Sequence, residues 1–125
     1  MRPRLRLTAA LLLVAAFGCH RGPLRQAPNA QLLTQSEMEA NHFTNVYDAV
    51  ASVRASWLTV RGTDSFYTPS EVVVYYDDTR LGGVSELRAI TVNSVAWVRH
   101  YSGVDATTRW GVGHSAGVIF VSSRQ

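Results

Sequence analysis

Five consecutive residues, Val72-Val73-Val74-Tyr75-Tyr76, are β-branched or aromatic without a polar break. A strand with one wet face would alternate, so this run predicts a strand covered on both faces. Everything from Glu71 to Arg124 reads as built around it. Asp77-Asp78 predicts a turn, with the second Asp taking the left-handed conformation. Thr79-Arg80-Leu81 returns as a short paired strand, broken by Gly82-Gly83. Val84 to Ile90 is expected as a helix with Ser85 near its start, burying Val84, Leu87 and Ile90. Val95, Trp97 and Val98 begin a further strand to about Tyr101, Ser102-Gly103 turns the chain, and Asp105 to Arg109 makes a helical turn. Gly111 and Gly113 punctuate a loop before a closing strand, Val118 to Val121.

The preceding segment is helical in pattern. Leu32-Leu33 forms a short strand, and Thr34-Gln35-Ser36-Glu37 has the spacing of a capping box, with the Thr34 hydroxyl and the Glu37 carboxylate satisfying N–H groups of a helix to about Ala40. Asn45 caps a second helix with Asp48 in its first turn. Val46, Ala49, Val50, Val53 and Trp57 fall on one apolar stripe of core type. Arg61-Gly62-Thr63-Asp64 ends the unit in a turn. Helices followed by strands, in a chain with room for one domain, give an α+β class: a small mixed sheet with short flanking helices.

The first thirty residues carry an address. Arg2, Arg4 and Arg6 precede an 11-residue apolar run, Leu7 to Phe17, and Gly18-Cys19 closes it. This is the layout of a bacterial export signal, and the run is shorter than the about 20 residues a spanning helix needs. Cys19, the single cysteine, follows Ala16-Phe17-Gly18 in an arrangement that resembles a lipobox. A lone thiol in an exported protein is a liability that lipidation removes, and two or three acyl chains make an anchor stable. The expected organisation is a signal peptide over residues 1–18, a flexible tether over 19–31 containing Pro23 and Pro28, and one domain over 32–125. Without Arg2, Arg4 and Arg6, nine of the 12 arginines remain against nine acids. A neutral chain lacks the electrostatic footprint of nucleic-acid binding. His20 directly after Cys19 is not the Asp that retains some lipoproteins at the inner membrane, so the expected location is the outer membrane, facing the periplasm.

The run VVVYYDDTRLGG, followed by LRAITVNSVAWVRHYSGVDATTRWGVGHSAGVIFVSSR, resembles the plug domain of TonB-dependent outer-membrane receptors. Asp77-Asp78 stands for the family's Asp-Gly turn, Trp110-Gly111 for its Tyr-Gly, Gly117-Val118-Ile119 for the loop-to-strand step and Ser122-Ser123-Arg124 for the strand end. The earlier LTQSEMEANHFTNVYDAVASV is similar to the helix pair that opens these plugs. The likeness spans about residues 32–125. It implies a plug-like fold and a place in outer-membrane transport or envelope assembly. Even eight membrane strands of about ten residues need about 80 residues, so the expectation is a plug-like domain standing alone, without the short acid-led peptide by which the family engages TonB.

Catalysis and metal binding find little support. His20, His42, His100 and His114 are scattered with no i, i+4 pair, and a second cysteine is missing. No metal and no cofactor is expected. Asp77-Asp78 reads as a solvated turn rather than a Ca²⁺ site or an acid/base pair. Gly113-His114-Ser115-Ala116-Gly117 puts serine one residue late for a nucleophile elbow. Trp57, Trp97, Trp110, Tyr67, Tyr75 and Tyr76 could line a ligand surface, but in a domain of this size most of them must fill the core. Tyr67 and Trp110 fall in predicted loops, so a ligand- or partner-binding surface is expected at Tyr67, Arg109, Trp110 and His114, with Arg109 pairing Asp105 at i, i+4. The function expected is binding to an envelope protein, an outer-membrane β-barrel for example, or to a small ligand. A self-associating structural protein is the alternative, and a small secreted hydrolase the last.

Overall fold

The computed structural model describes residues 29–61, 67 and 69–123. Cys19, the export signal, most of the tether, Gly62-Thr63-Asp64 and Arg124 lie outside the described residues. The architecture is mixed α+β, as the pattern of elements requires. Five strands, β1 (Leu32–Thr34), β2 (Val73–Tyr76), β3 (Thr79–Gly82), β4 (Trp97–Tyr101) and β5 (Val118–Ser122), form one sheet in the order β1-β4-β5-β2-β3. The β2–β5 pair is parallel, with Val73 opposite Val118 and Tyr76 opposite Val121, and the other pairs are antiparallel.

Alternation along the central strands sorts side chains onto two faces. Val74, Val98, Ile119 and Val121 are buried on the inner face, under α1 (Gln35–Ala40) and α2 (Val46–Val53), with Leu33, Met38, Val46, Val50, Leu87, Val92 and Val95. Val73 and Val118 point outward, where α3 (Gly103–Trp110) covers them with Ala106. Both faces of β2 are thus covered, which is why its sequence shows no alternation. Burying a Val or Leu side chain contributes about 1.5–3 kcal/mol, so the inner cluster holds most of the fold's stabilisation.

Helix starts follow the predicted chemistry. The Thr34 hydroxyl accepts from the Glu37 N–H at 3.3 Å, the Asn45 side chain from the Asp48 N–H at 2.9 Å, and the Ser102 hydroxyl from the Asp105 N–H at 3.3 Å. Several predictions need correction. The Glu37 carboxylate does not close the capping box; it receives Arg54 at 3.3 Å and ties α1 to the end of α2. The second helix stops at Val53, and Trp57 reaches the core from a separate 3-10 turn, Ala55–Leu58. Val84–Ala89 is 3-10 rather than α-helical, and a further 3-10 turn, Val92–Ser94, delays β4 to Trp97. In the β2–β3 turn Asp77, not Asp78, takes positive φ, at 50°. The Asp77 carboxylate accepts from the N–H and hydroxyl of Ser123, at 3.1 and 2.6 Å, and thereby clamps the end of β5. These two bonds offset the roughly 1–2 kcal/mol that a left-handed non-glycine residue costs.

At the opposite end of β5 the chain passes very close to the start of α3. A Cβ on Gly103 would sit 1.9 Å from the Ser115 carbonyl oxygen, and one on Gly117, which has φ +99°, would sit 2.9 Å from the Tyr101 carbonyl oxygen. Gly103→Ala is therefore expected to destabilise the domain by about 1–3 kcal/mol, the cost of overpacking against backbone. A urea denaturation midpoint measures it; an unchanged midpoint would show that this approach is looser than described.

Candidate functional site

Two polar–aromatic constellations sit on opposite faces of β4. Trp97, Arg99 and Tyr101 point to the outer face, and Val98 and His100 to the inner one. This alternation follows from the strand itself.

On the outer face, aromatic rings form a continuous layer. Trp97 stacks on Phe120 with centroids 5.6 Å apart, Phe120 on Trp110 at 6.2 Å, and Trp110 on Tyr75 at 5.1 Å, while Tyr101 meets Trp110 edge-on at 5.1 Å. The rings are half-buried, so their edges and parts of their faces remain open to solvent. Arg109 lies over Trp110 at 4.8 Å, and Arg99 over Tyr101 at 5.3 Å. Beside Trp97, an apolar groove of about 320 Å³ is lined by Leu32, Thr34, Ala96 and Arg99.

The residues expected to form one recognition surface are only partly brought together. Tyr67 is 98% exposed, and the His114 ring lies tilted against Trp110 with centroids 6.3 Å apart. Trp110 is not in a loop; it is the last residue of α3, because the Ser102 cap starts that helix earlier and Gly111, at φ 87°, ends it later than expected. Arg109 does not pair with Asp105. Its guanidinium donates to the Tyr101 hydroxyl at 3.3 Å, while the Asp105 carboxylate receives the Ser102 hydroxyl at 2.8 Å. His114 is a buried structural residue, 7% exposed. Since the Gly111 carbonyl can only accept, Nδ1–H of His114 donates to it at 3.0 Å, and Nε2 accepts from the Tyr75 hydroxyl at 3.1 Å. Both ring nitrogens are thus engaged, and neither serves Ser115 as a base. Asp77 is committed to Ser123. Among the described residues no group of three His, Cys, Asp or Glu is placed to hold a metal ion.

The inner face carries a site that sequence reading missed. A cavity of about 280 Å³ opens where β4, the Ala55–Leu58 turn and the start of α3 converge, lined by Gln31, Ser56, Trp57, Thr59, Arg61, His100, Ser102, Gly103 and Ala116. Trp57 and His100 stack within it, with centroids 5.6 Å apart and planes 16° from parallel. Burial, and secondarily the Arg61 guanidinium, lower the His100 pKa from its ordinary 6.5. The residues are too far apart in sequence to form a motif. The one local signal was His100 on the inward-facing side of a strand whose other polar residue, Arg99, faces outward.

Two outcomes are expected. Tyr75→Phe leaves the buried Nε2 of His114 without its donor and should cost about 1–3 kcal/mol in chemical denaturation. His100 makes stability depend on pH. The unfolded chain takes up a proton at a pH where the folded ring, held low, does not, so this contribution is fully present above about pH 6.5 and is lost as pH falls below it. Denaturation midpoints should fall with acidification through that value, and His100→Gln should flatten that part of the profile; an identical slope in the variant would assign it elsewhere.

No protein-family model matches the chain, and no curated protein or solved structure is similar enough to it to count as a match.

Proposed function

We propose that the chain is a non-enzymatic binding module of a bacterial cell envelope. In this reading residues 1–18 direct export, lipid on Cys19 anchors the protein at the outer membrane, and residues 19–31 tether a TonB-receptor plug-like domain, residues 32–125, in the periplasm. The domain docks on an envelope protein, an outer-membrane β-barrel first of all, as an accessory to transport or assembly. The layout of the first nineteen residues and the resemblance of the sheet half to receptor plugs support the location.

The observation that carries the binding role is the outer face of the sheet. It combines half-open stacked rings from Trp97 to Tyr75 with Arg99 and Arg109, neither of which has a carboxylate partner among the described residues. Aromatic residues and arginine are the types that concentrate binding energy at protein interfaces. Guanidiniums already laid over rings are held in place and lose little freedom when a partner's carboxylates meet them. This differs from the loop surface expected from sequence: Arg109 and Trp110 belong to it on a helix and not in a loop, and His114 packs against its Trp110 and Tyr75 rings while itself buried.

Crosslinking in the native envelope, followed by mild-detergent purification, is expected to recover a large outer-membrane β-barrel protein. Reversing both exposed charges, Arg99→Glu with Arg109→Glu, should cut that recovery at least tenfold. Recovery of the chain alone, or recovery indifferent to the charge reversal, counts against docking through this face.

A further inference from the structure

The cavity on the inner side of β4 differs from the Tyr75–His114–Gly111 group by what its side chains are not doing. In the Tyr75–His114–Gly111 group each hydrogen-bonding atom of the histidine has a partner. Around the cavity, by contrast, the side chains of Gln31, Ser56, Thr59, Arg61 and His100 make no hydrogen bond or ion pair with any described residue, and the Trp57 indole N–H has none either. Ser102 is the exception, since it caps α3. Polar side chains gathered round a concave, partly apolar space, and not consumed by the fold, are the usual composition of a small-molecule site.

We propose that this cavity is a binding site for a small carboxylate, held at its rim by the Arg61 guanidinium and against the stacked Trp57 and His100 rings, with Ser56, Thr59 and Gln31 taking its remaining polar contacts. The charge count selects the ligand class. Arg61 and His100 are the ionisable groups among the described lining residues, and none of those is an acid. The His100 ring is uncharged at neutral pH, for the reasons given above. One positive charge then matches a monoanion, and a dianionic phosphate would keep an unpaired charge while losing water. The first turn of α3 adds little, because Asp105 already offsets its partial charge. A planar guanidinium also suits a carboxylate in bidentate geometry. Size narrows the class further: at about 30 Å³ per liquid water, a cavity of about 280 Å³ accepts about nine water-sized groups, the dimensions of an aromatic or short-chain acid. The site opens on the opposite side of β4 from Trp97 and Arg99, so it does not rest on the docking role proposed for that face.

Isothermal titration of the full-length chain with benzoate, its neutral isostere benzamide and inorganic phosphate tests the assignment. The expected result is saturable one-to-one binding of benzoate, with benzamide and phosphate at least tenfold weaker. Arg61→Gln should weaken benzoate at least tenfold, whereas Arg99→Glu, on the other face, should leave it unchanged. Arg61 is exposed and makes no ion pair among the described residues, so its replacement is expected to leave the fold intact, which far-ultraviolet circular dichroism checks. Benzoate and benzamide binding alike, an affinity indifferent to Arg61→Gln, or no saturable binding of benzoate would each overturn the proposal.

Discussion

The parallel pairing of β2 with β5 is the constraint from which the rest of the domain follows. Neighbouring parallel strands cannot be joined by a tight turn, so the chain between them must leave the sheet and return. It spends that length on β3, two 3-10 turns, β4 and α3, before β5 slots between β4 and β2. A strand so placed is central and buried on both faces, and the sequence answers with Val118-Ile119-Phe120-Val121 opposite Val73-Val74-Tyr75-Tyr76. Both ends of β5 are then fixed by specific devices. Asp77 clamps Ser123 at one end, and at the other the glycines at 103 and 117 allow the backbone of β5's entry to lie against the start of α3.

That central position gives the two faces different chemistry. Inside, where two helices and three 3-10 turns can cover the sheet, the side chains are mostly aliphatic, apart from the Trp57–His100 pair and the polar cavity beside it. Outside, one eight-residue helix covers only the β2–β5 end, so the residues nearer β1 must tolerate water while still shielding the sheet. Tyrosine, tryptophan and arginine suit that requirement, because each pairs a large apolar body with a polar tip. The stacked layer from Trp97 to Tyr75 is the physical consequence of a half-covered sheet. The docking role proposed for this layer would draw on the same incompleteness.

What was legible in the sequence was local. The Thr34 and Asn45 caps, the buried run at β2 and the positions of β3 and β5 each depend on residues within a few places of one another. The failures share a cause. Glu37 left the predicted capping box because Arg54, 17 residues on, reaches it across the α1–α2 packing. Arg109 abandoned Asp105 because Tyr101 and Trp110 offered it a hydroxyl and a ring face at once. Positive φ fell on Asp77 because Ser123, 46 residues away, rewards a carboxylate at that place. In each case a tertiary partner outweighed a local preference. The inner cavity was illegible for the same reason: residues 31, 57, 61, 100 and 116 meet only because β4 lies between β1 and β5.

The contrast between His114 and His100 sets a residue spent on building this domain beside one that the proposed ligand would meet. Both are flanked by aromatic rings, and both lie near the β5 entry. His114 is spent entirely on structure, with each ring nitrogen bonded and the ring nearly closed from solvent. His100 is stacked on Trp57 yet bonds no described side chain through its ring, beside an arginine that pairs with none. The fold gives the half-buried His100 ring its stack on Trp57 and no hydrogen bond to a described residue; a ligand in the proposed site could supply one, since a neutral imidazole both donates and accepts while Arg61 carries the charge.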